Sequence, residues 1–155
     1  MKLRPFLEEF LEFAAKRFEL IVFCKGCELY CSPVLDAIEH NTKYFAHRVY
    51  GDHALFENPK FSVKYYDFLL TDGRSVDSTI IVDSNVGAYC LRLYNGLPIR
   101  PYLRPDDTEL IHLAKYLEEV RGARSVPEII GSCVRRVFST SGTAVAKRRS
   151  SLKGL

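Results

Sequence analysis

Apolar positions along the chain follow two periods in turn. In PFLEEFLEFAAKR at 5–17, Phe6, Leu7, Phe10, Leu11, Phe13 and Ala14 recur on one helical face. Pro5 suits a first helical turn, so the spacing predicts a helix there. The run FELIVF at 18–23 is short, apolar and rich in β-branched and aromatic residues, which predicts a buried strand. A second helix is expected over 28–39, with a turn at Ser32-Pro33 dividing it. Segments 44–50, 60–66, 78–82 and 97–100 read as strands, STIIV at 78–82 being the best candidate for a buried one. Segments 52–59 and 71–74 read as turns. Leu110, Ile111, Leu113, Ala114, Leu117 and Val120 give 106–121 the face of a helix, capped by Asp106 or Asp107. Apolar strands alternating with helices predict an α/β fold around a mainly parallel sheet. In such sheets chemistry gathers at the carboxyl ends of strands, where Cys24 and Asp83 stand.

A length of 155 residues fits one domain with a sizeable core, and 47% apolar residues exclude disorder for most of it. No apolar run reaches the ~18 residues of a membrane-spanning helix. The net charge of +3 is too small to argue for nucleic acid, but it is unevenly spread. No acidic residue follows Glu128, whereas Arg135, Arg136, Lys147, Arg148, Arg149 and Lys153 do, so 16 of the 22 basic residues face all 19 acidic ones before that point, a net −3. The expectation is a domain over 1–130 and a basic tail over 131–155. The tail is solvated by default, or lies on RNA phosphates or an anionic lipid face. The five cysteines are odd in number and no signal or transit segment is read ahead of the domain, which predicts free thiols in an intracellular, reducing compartment.

Cys24, Cys27 and Cys31 are spaced closely enough to invite a metal reading, yet buried free cysteine is ordinary packing, and neither metal nor cofactor is expected. His40, His47, His53 and His112 lack ligand spacing. Tyr65, Tyr66, Tyr89, Tyr94 and Tyr102 read as core or pocket-lining aromatics rather than base-stacking ones.

Several short stretches, in order, carry a resemblance. They are Arg4-Pro5 with Leu7-Glu8-Glu9-Phe10-Leu11, the strand 18–23, Tyr30 with Pro33-Val34-Leu35-Asp36, and His47-Arg48-Val49-Tyr50. Val63-Lys64, Gly73-Arg74, Ile80-Ile81-Val82-Asp83, Asn95-Gly96-Leu97-Pro98-Ile99 and Asp107-Thr108-Glu109-Leu110 follow. Together, from Leu3 to about Ile130, they resemble the C-terminal-domain small phosphatases, or NLI-interacting-factor domain, of the haloacid dehalogenase superfamily. The mitochondrial inner-membrane import receptor subunit belongs to the same family.

The resemblance implies a haloacid-dehalogenase-like three-layer sandwich. It also implies a D-x-D-x-T strand ahead of the Arg4-Pro5 opening, which carries the family's nucleophile and general acid. This sequence starts at the opening and holds no D-x-D, so the nucleophile strand is expected to be missing. Cys24 stands where the family has threonine, and Ser84 where it has a magnesium-holding asparagine. Lys64 and Asp83 survive, and pairing with one another is their expected role. The resulting expectation is a catalytically inactive domain serving as a binding or structural subunit, with a partner strand completing the sheet in preference to the chain's own 134–145. Alternatives are a split half of an active magnesium-dependent Ser/Thr phosphatase, or an RNA-associated protein. By analogy with the import-receptor branch, mitochondrion is slightly favoured over nucleus or cytoplasm.

Overall fold

The computed structural model describes residues 2–51, 54–58, 61–64 and 66–132. The first helix, α1 (Leu7–Ala15), begins later than its apolar spacing suggests. Phe6 precedes it with a left-handed backbone (φ 62°), and Pro5 lies outside the helix. The entering chain is already anchored, because the Arg4 guanidinium donates to both carboxylate oxygens of Asp107 at 2.8 and 2.7 Å. The backbone therefore turns sharply at Phe6 before the helix can start.

Strand β1 (Leu20–Phe23) leads through α2 (Glu28–Glu39) to β2 (Phe45–Val49), a right-sized crossover for the parallel pairing observed between β1 and β2. Pro33 lies inside α2 without dividing it, contrary to the expected turn at Ser32-Pro33. The turn ahead of Pro33 is solvent-facing, with Leu29 88% and Tyr30 74% exposed, while the half after it is anchored by buried Leu35 and Glu39. The stretch expected to be a turn at 52–59 instead contributes β3 (Ala54–Asn58), antiparallel to β4 (Phe61–Lys64). Its run of five residues between Gly51-Asp52 and Asn58-Pro59 is too short to show a period.

Strand β5 (Ile81–Asp83) starts three residues after the predicted point. A capping box between Ser75 and Ser78 winds Val76–Ser78 into a single 3₁₀ turn first. A kinked 3₁₀ segment, Val86–Asn95, then leads into β6 (Gly96–Pro98), which pairs parallel with β5. The last long helix, α3 (Glu109–Val120), buries Leu110, Leu113, Leu117 and Val120. Leu7, Phe10 and Phe13 of α1, and Ile80, Leu97 and Ile99 beside β5 and β6, pack against that face. Each such side chain withdrawn from water contributes about 1.5–3 kcal/mol, which makes this the main core. The cap is provided by Asp107, whose carboxylate accepts from the Glu109 amide at 3.0 Å, with Thr108 as the boundary residue. A helical segment over 126–132 adds buried Val126 and Ile130.

The arrangement is a mixed helix and strand α/β fold, with β1–β2 and β5–β6 parallel and β3–β4 antiparallel. Among the described residues the strands form three pairs, β1–β2, β3–β4 and β5–β6, rather than one continuous sheet. The runs 18–23 and 78–82 were expected to be buried strands, but no residue of β1 or β5 is fully buried, and Val82 is exposed. An apolar strand paired on one side only leaves its second edge and part of both faces to water.

Candidate functional site

Of the four family positions Cys24, Lys64, Asp83 and Ser84, two meet directly, Lys64 and Asp83. Lys64 closes β4, and its Nζ lies 2.6 Å from Oδ2 of Asp83, the last residue of β5; both side chains are 17% exposed. The same ammonium sits 5.5 Å over the ring of Phe23, the last residue of β1. The other Asp83 oxygen, Oδ1, accepts from the Asn85 amide at 2.8 Å, and Asn85 Oδ1 accepts from the Gly87 amide at 3.0 Å. Two successive Asx turns thus carry the chain away from the strand. Their signal, the D-x-N-x-G spacing at 83–87, was legible in the sequence and went unread. Ser84, between them, faces solvent.

Cys24 follows β1, and its amide donates to the Val49 carbonyl at 2.8 Å. Burial, followed by a hydrogen bond with the Cys31 thiol, pushes the Cys24 thiol up to about 11, against the opposing charges of Lys64 and Arg48. At neutral pH Cys24 is therefore a neutral, weakly donating thiol. Tyr89 is buried beside this centre, and burial together with the Asp83 charge raises its hydroxyl.

These groups do not suit the magnesium ion that the resemblance implies. One carboxylate is present, and both its oxygens are taken, by an ammonium and by an amide. Among the described residues no three His, Cys, Asp or Glu side chains are grouped to hold a metal, and Cys27 points to solvent. What the centre does is neutralise itself: a cation and an anion share a half-buried position at the ends of β1, β4 and β5.

The polar residues that carry the resemblance hold the fold together. Arg74 donates to Glu19 at 2.6 and 2.8 Å and lies 2.8 Å from His47 Nε2, joining three separate stretches. Arg48 of β2 pairs with Asp36 at 2.7 Å and with Glu39, both on α2. Glu39 also accepts from the Tyr44 and Phe45 amides at 2.6 and 2.8 Å. Burial pushes the Glu39 carboxyl up, but Arg48 and the two amides outweigh that and hold it below the usual range. Asn95 donates to the Val76 and Thr79 carbonyls at 2.6 and 2.8 Å. Gly96 admits the Tyr89 ring, which a Cβ there would meet at 1.9 Å.

Of the tyrosines, Tyr66 and Tyr89 are buried as expected. Tyr94 is exposed, against the core or pocket-lining role read for it, and Tyr102 lies half-buried under Lys2 and Arg4. His53, Tyr65 and the basic residues Arg135, Arg136, Lys147, Arg148, Arg149 and Lys153 lie outside the described residues, as does segment 134–145. Among the described residues no helix is long and apolar enough to cross a membrane.

Comparison with known proteins places this geometry in context. The sequence profile described as NLI interacting factor-like phosphatase matches residues 1–127. CTD small phosphatase-like protein 3 of Caenorhabditis elegans is 32% identical over 134 residues, covering 84% of this chain and 45% of that protein. CTD nuclear envelope phosphatase 1 of Xenopus tropicalis is 30% identical over 128 residues, covering 82% and 51%. Nuclear envelope morphology protein 1 of Schizosaccharomyces pombe is 28% identical over 129 residues, covering 83% and 26%. The chain therefore spans about half or less of the length of these relatives.

Proposed function

The chain belongs to the NLI interacting factor-like phosphatase family, within the haloacid dehalogenase superfamily, and from that premise we propose that by itself it performs no hydrolysis and serves as a binding subunit. The observation that carries this reading is the closed Lys64–Asp83 pair. A phosphoryl-transfer centre needs a free carboxylate nucleophile and an unengaged cation for the phosphoryl oxygens. Here the cation is already neutralised, the single carboxylate is doubly held, and the 155 residues contain no D-x-D. Cys24 and Ser84 then stand as vestiges of positions that are functional in the family.

The same reading gives β1 and β5 a role. Each is apolar, half-exposed and paired on one side among the described residues. Unpaired N–H and C=O groups along such edges are a template for an added strand. A protein partner supplying that strand would complete the sheet that the resemblance implies.

The direct test is turnover of p-nitrophenyl phosphate and of phosphoserine peptides by the full chain, with and without magnesium. No turnover above the blank is expected. Magnesium-dependent turnover that Asp83→Ala abolishes would overturn the proposal.

A second reading is favoured by one feature, the survival of Lys64 and Asp83 side by side at the strand ends. In it the chain is one half of an active phosphatase, and a D-x-D-x-T strand arrives from another polypeptide. Co-purification with a chain carrying that motif, and turnover by the pair alone, would select it. An RNA-associated role rests on the basic residues beyond 132, and unchanged RNA retention after their removal would dismiss it. As for compartment, two of the three relatives are named for the nuclear envelope, which lends no support to a mitochondrial preference.

A further inference from the structure

The chain holds one Asp-Gly and one Asn-Gly dipeptide, at 72–73 and 95–96, and the fold treats them oppositely. Asp72 (φ 53°) and Gly73 (φ 85°) are the central residues of a tight turn, closed by the Arg74 amide, which donates to the Thr71 carbonyl at 3.0 Å. The Asp72 side chain is 86% exposed. Among the described residues its carboxylate meets the Thr71 hydroxyl at 3.3 Å and the Arg74 guanidinium at 3.8 Å, and nothing accepts from the Gly73 amide. A Cβ at Gly73 would meet no described atom within 4 Å, so the tip has room to rotate. Asn95, by contrast, is 2% exposed, and its Nδ2 donates to the Val76 and Thr79 carbonyls at 2.6 and 2.8 Å. The Gly96 amide donates to the Leu93 carbonyl, and the Tyr89 ring lies against that glycine.

We propose that Asp72-Gly73 is a site of spontaneous backbone isomerisation, at which the aspartyl residue becomes isoaspartyl through a cyclic imide. The Gly73 amide nitrogen attacks Cγ of the protonated Asp72 carboxyl. A C–N bond forms, and the carboxyl hydroxyl leaves with the amide hydrogen as water. Water then opens the imide at either carbonyl. Cleavage at Cγ restores aspartate, whereas cleavage at the Asp72 backbone carbonyl leaves the main chain running through Cγ and frees an α-carboxylate. One water leaves, one returns, and no electrons change hands. Glycine at 73 puts no Cβ in the way of the ring. The product carries one extra methylene in the turn that leads into Arg74, the residue that ties Glu19 and His47 together. At 95–96 both reacting groups are engaged and buried, so the same ring cannot close without local unfolding.

The full chain is held at pH 7.4 and 37 °C, sampled over weeks and digested with trypsin. Electron-transfer fragmentation then distinguishes isoaspartate from aspartate. Peptide 65–74 carries Asp67 and Asp72, and peptide 93–115 carries Asn95, because trypsin spares Arg100-Pro101 and Arg104-Pro105. Isoaspartate is expected at 72 about tenfold or more above the level at 67 or 95, since opening costs little at an exposed turn and much at a buried one. In guanidinium chloride Asn95 should overtake Asp72, because a free asparagine loses ammonia more readily than an aspartate loses water. Asp72→Asn keeps a residue that accepts positive φ and should speed formation at 72 in the folded chain by about tenfold or more. Isoaspartate appearing first at 95 in the folded chain, equal levels at 67 and 72, or an Asp72→Asn chain no faster than the unsubstituted one would overturn the proposal.

Discussion

Lys64 and Asp83 can be tested as a self-neutralising pair by a double-mutant cycle. At 2.6 Å and an effective dielectric constant near 20, their attraction is roughly 6 kcal/mol before desolvation. Both groups are only 17% exposed, so desolvation offsets most of that, leaving a net coupling of about 1–3 kcal/mol, above that of a surface pair. Asp83→Asn retains an oxygen for the Asn85 amide but strands the Lys64 ammonium above the Phe23 ring. Lys64→Met retains the stem and strands the carboxylate. Each single change should destabilise by about 1–3 kcal/mol, and the double variant should recover much of the loss because no half-buried charge remains. The assay is urea unfolding followed by far-ultraviolet circular dichroism at pH 7, in wild type and all three variants. Low micromolar concentration keeps the open edges of β1 and β5 from pairing between chains. Losses that simply add, with a coupling below about 0.5 kcal/mol, would refute the argument that these residues persist to neutralise each other.

Two further outcomes follow from the same structure. Glu39→Ala should cost about 2–3 kcal/mol in urea unfolding, because two amides and Arg48 lose a charged acceptor, and Glu39→Gln about half of that. The Glu39 carboxyl lies below its ordinary value, so its contribution is present above about pH 4.3 and is lost as pH falls through the lower folded value; E39Q should lack that acid-side slope. Gly96→Ala should cost about 1–3 kcal/mol, since its Cβ would meet the Tyr89 ring at 1.9 to 2.6 Å and Tyr89 is only 3% exposed; in the Tyr89→Ala background the same change should cost much less in thermal melts.

Hydrophobic period made most of the fold legible. The run 18–23 contains β1, 44–50 contains β2, and the face from Leu110 to Val120 became the centre of the main core. Boundaries failed where side chains bonded to nearby backbone and the period carried no trace of it. Ser75 and Ser78 delay β5, Asp107 moves the start of α3, and the anchoring of Arg4 leaves Pro5 outside α1. The strand β3 escapes the period because it has only five residues, and the segment Val86–Asn95 because it is kinked at Tyr89 and Arg92. At the candidate site the pairing of Lys64 with Asp83 was legible through the family resemblance, which singles out both positions and leaves each the other's natural counter-charge. The ties Arg74–Glu19, Arg48–Glu39 and Arg4–Asp107 were not, since residues 55, 9 and 103 positions apart on different elements show no spacing that announces a contact.

The ammonium of Lys64 lies 2.6 Å from the last residue of β5 and 5.5 Å over the ring of the last residue of β1, so the carboxyl ends of both strands come together. Any segment laid between them in parallel must share that polarity. A tight hairpin reverses direction and cannot deliver it, whereas a crossover of roughly a dozen residues can. A single-chain fusion joined ahead of α1 would use α1 and its flanks, which lie between the junction and β1, as that crossover and so deliver the added strand parallel to β1.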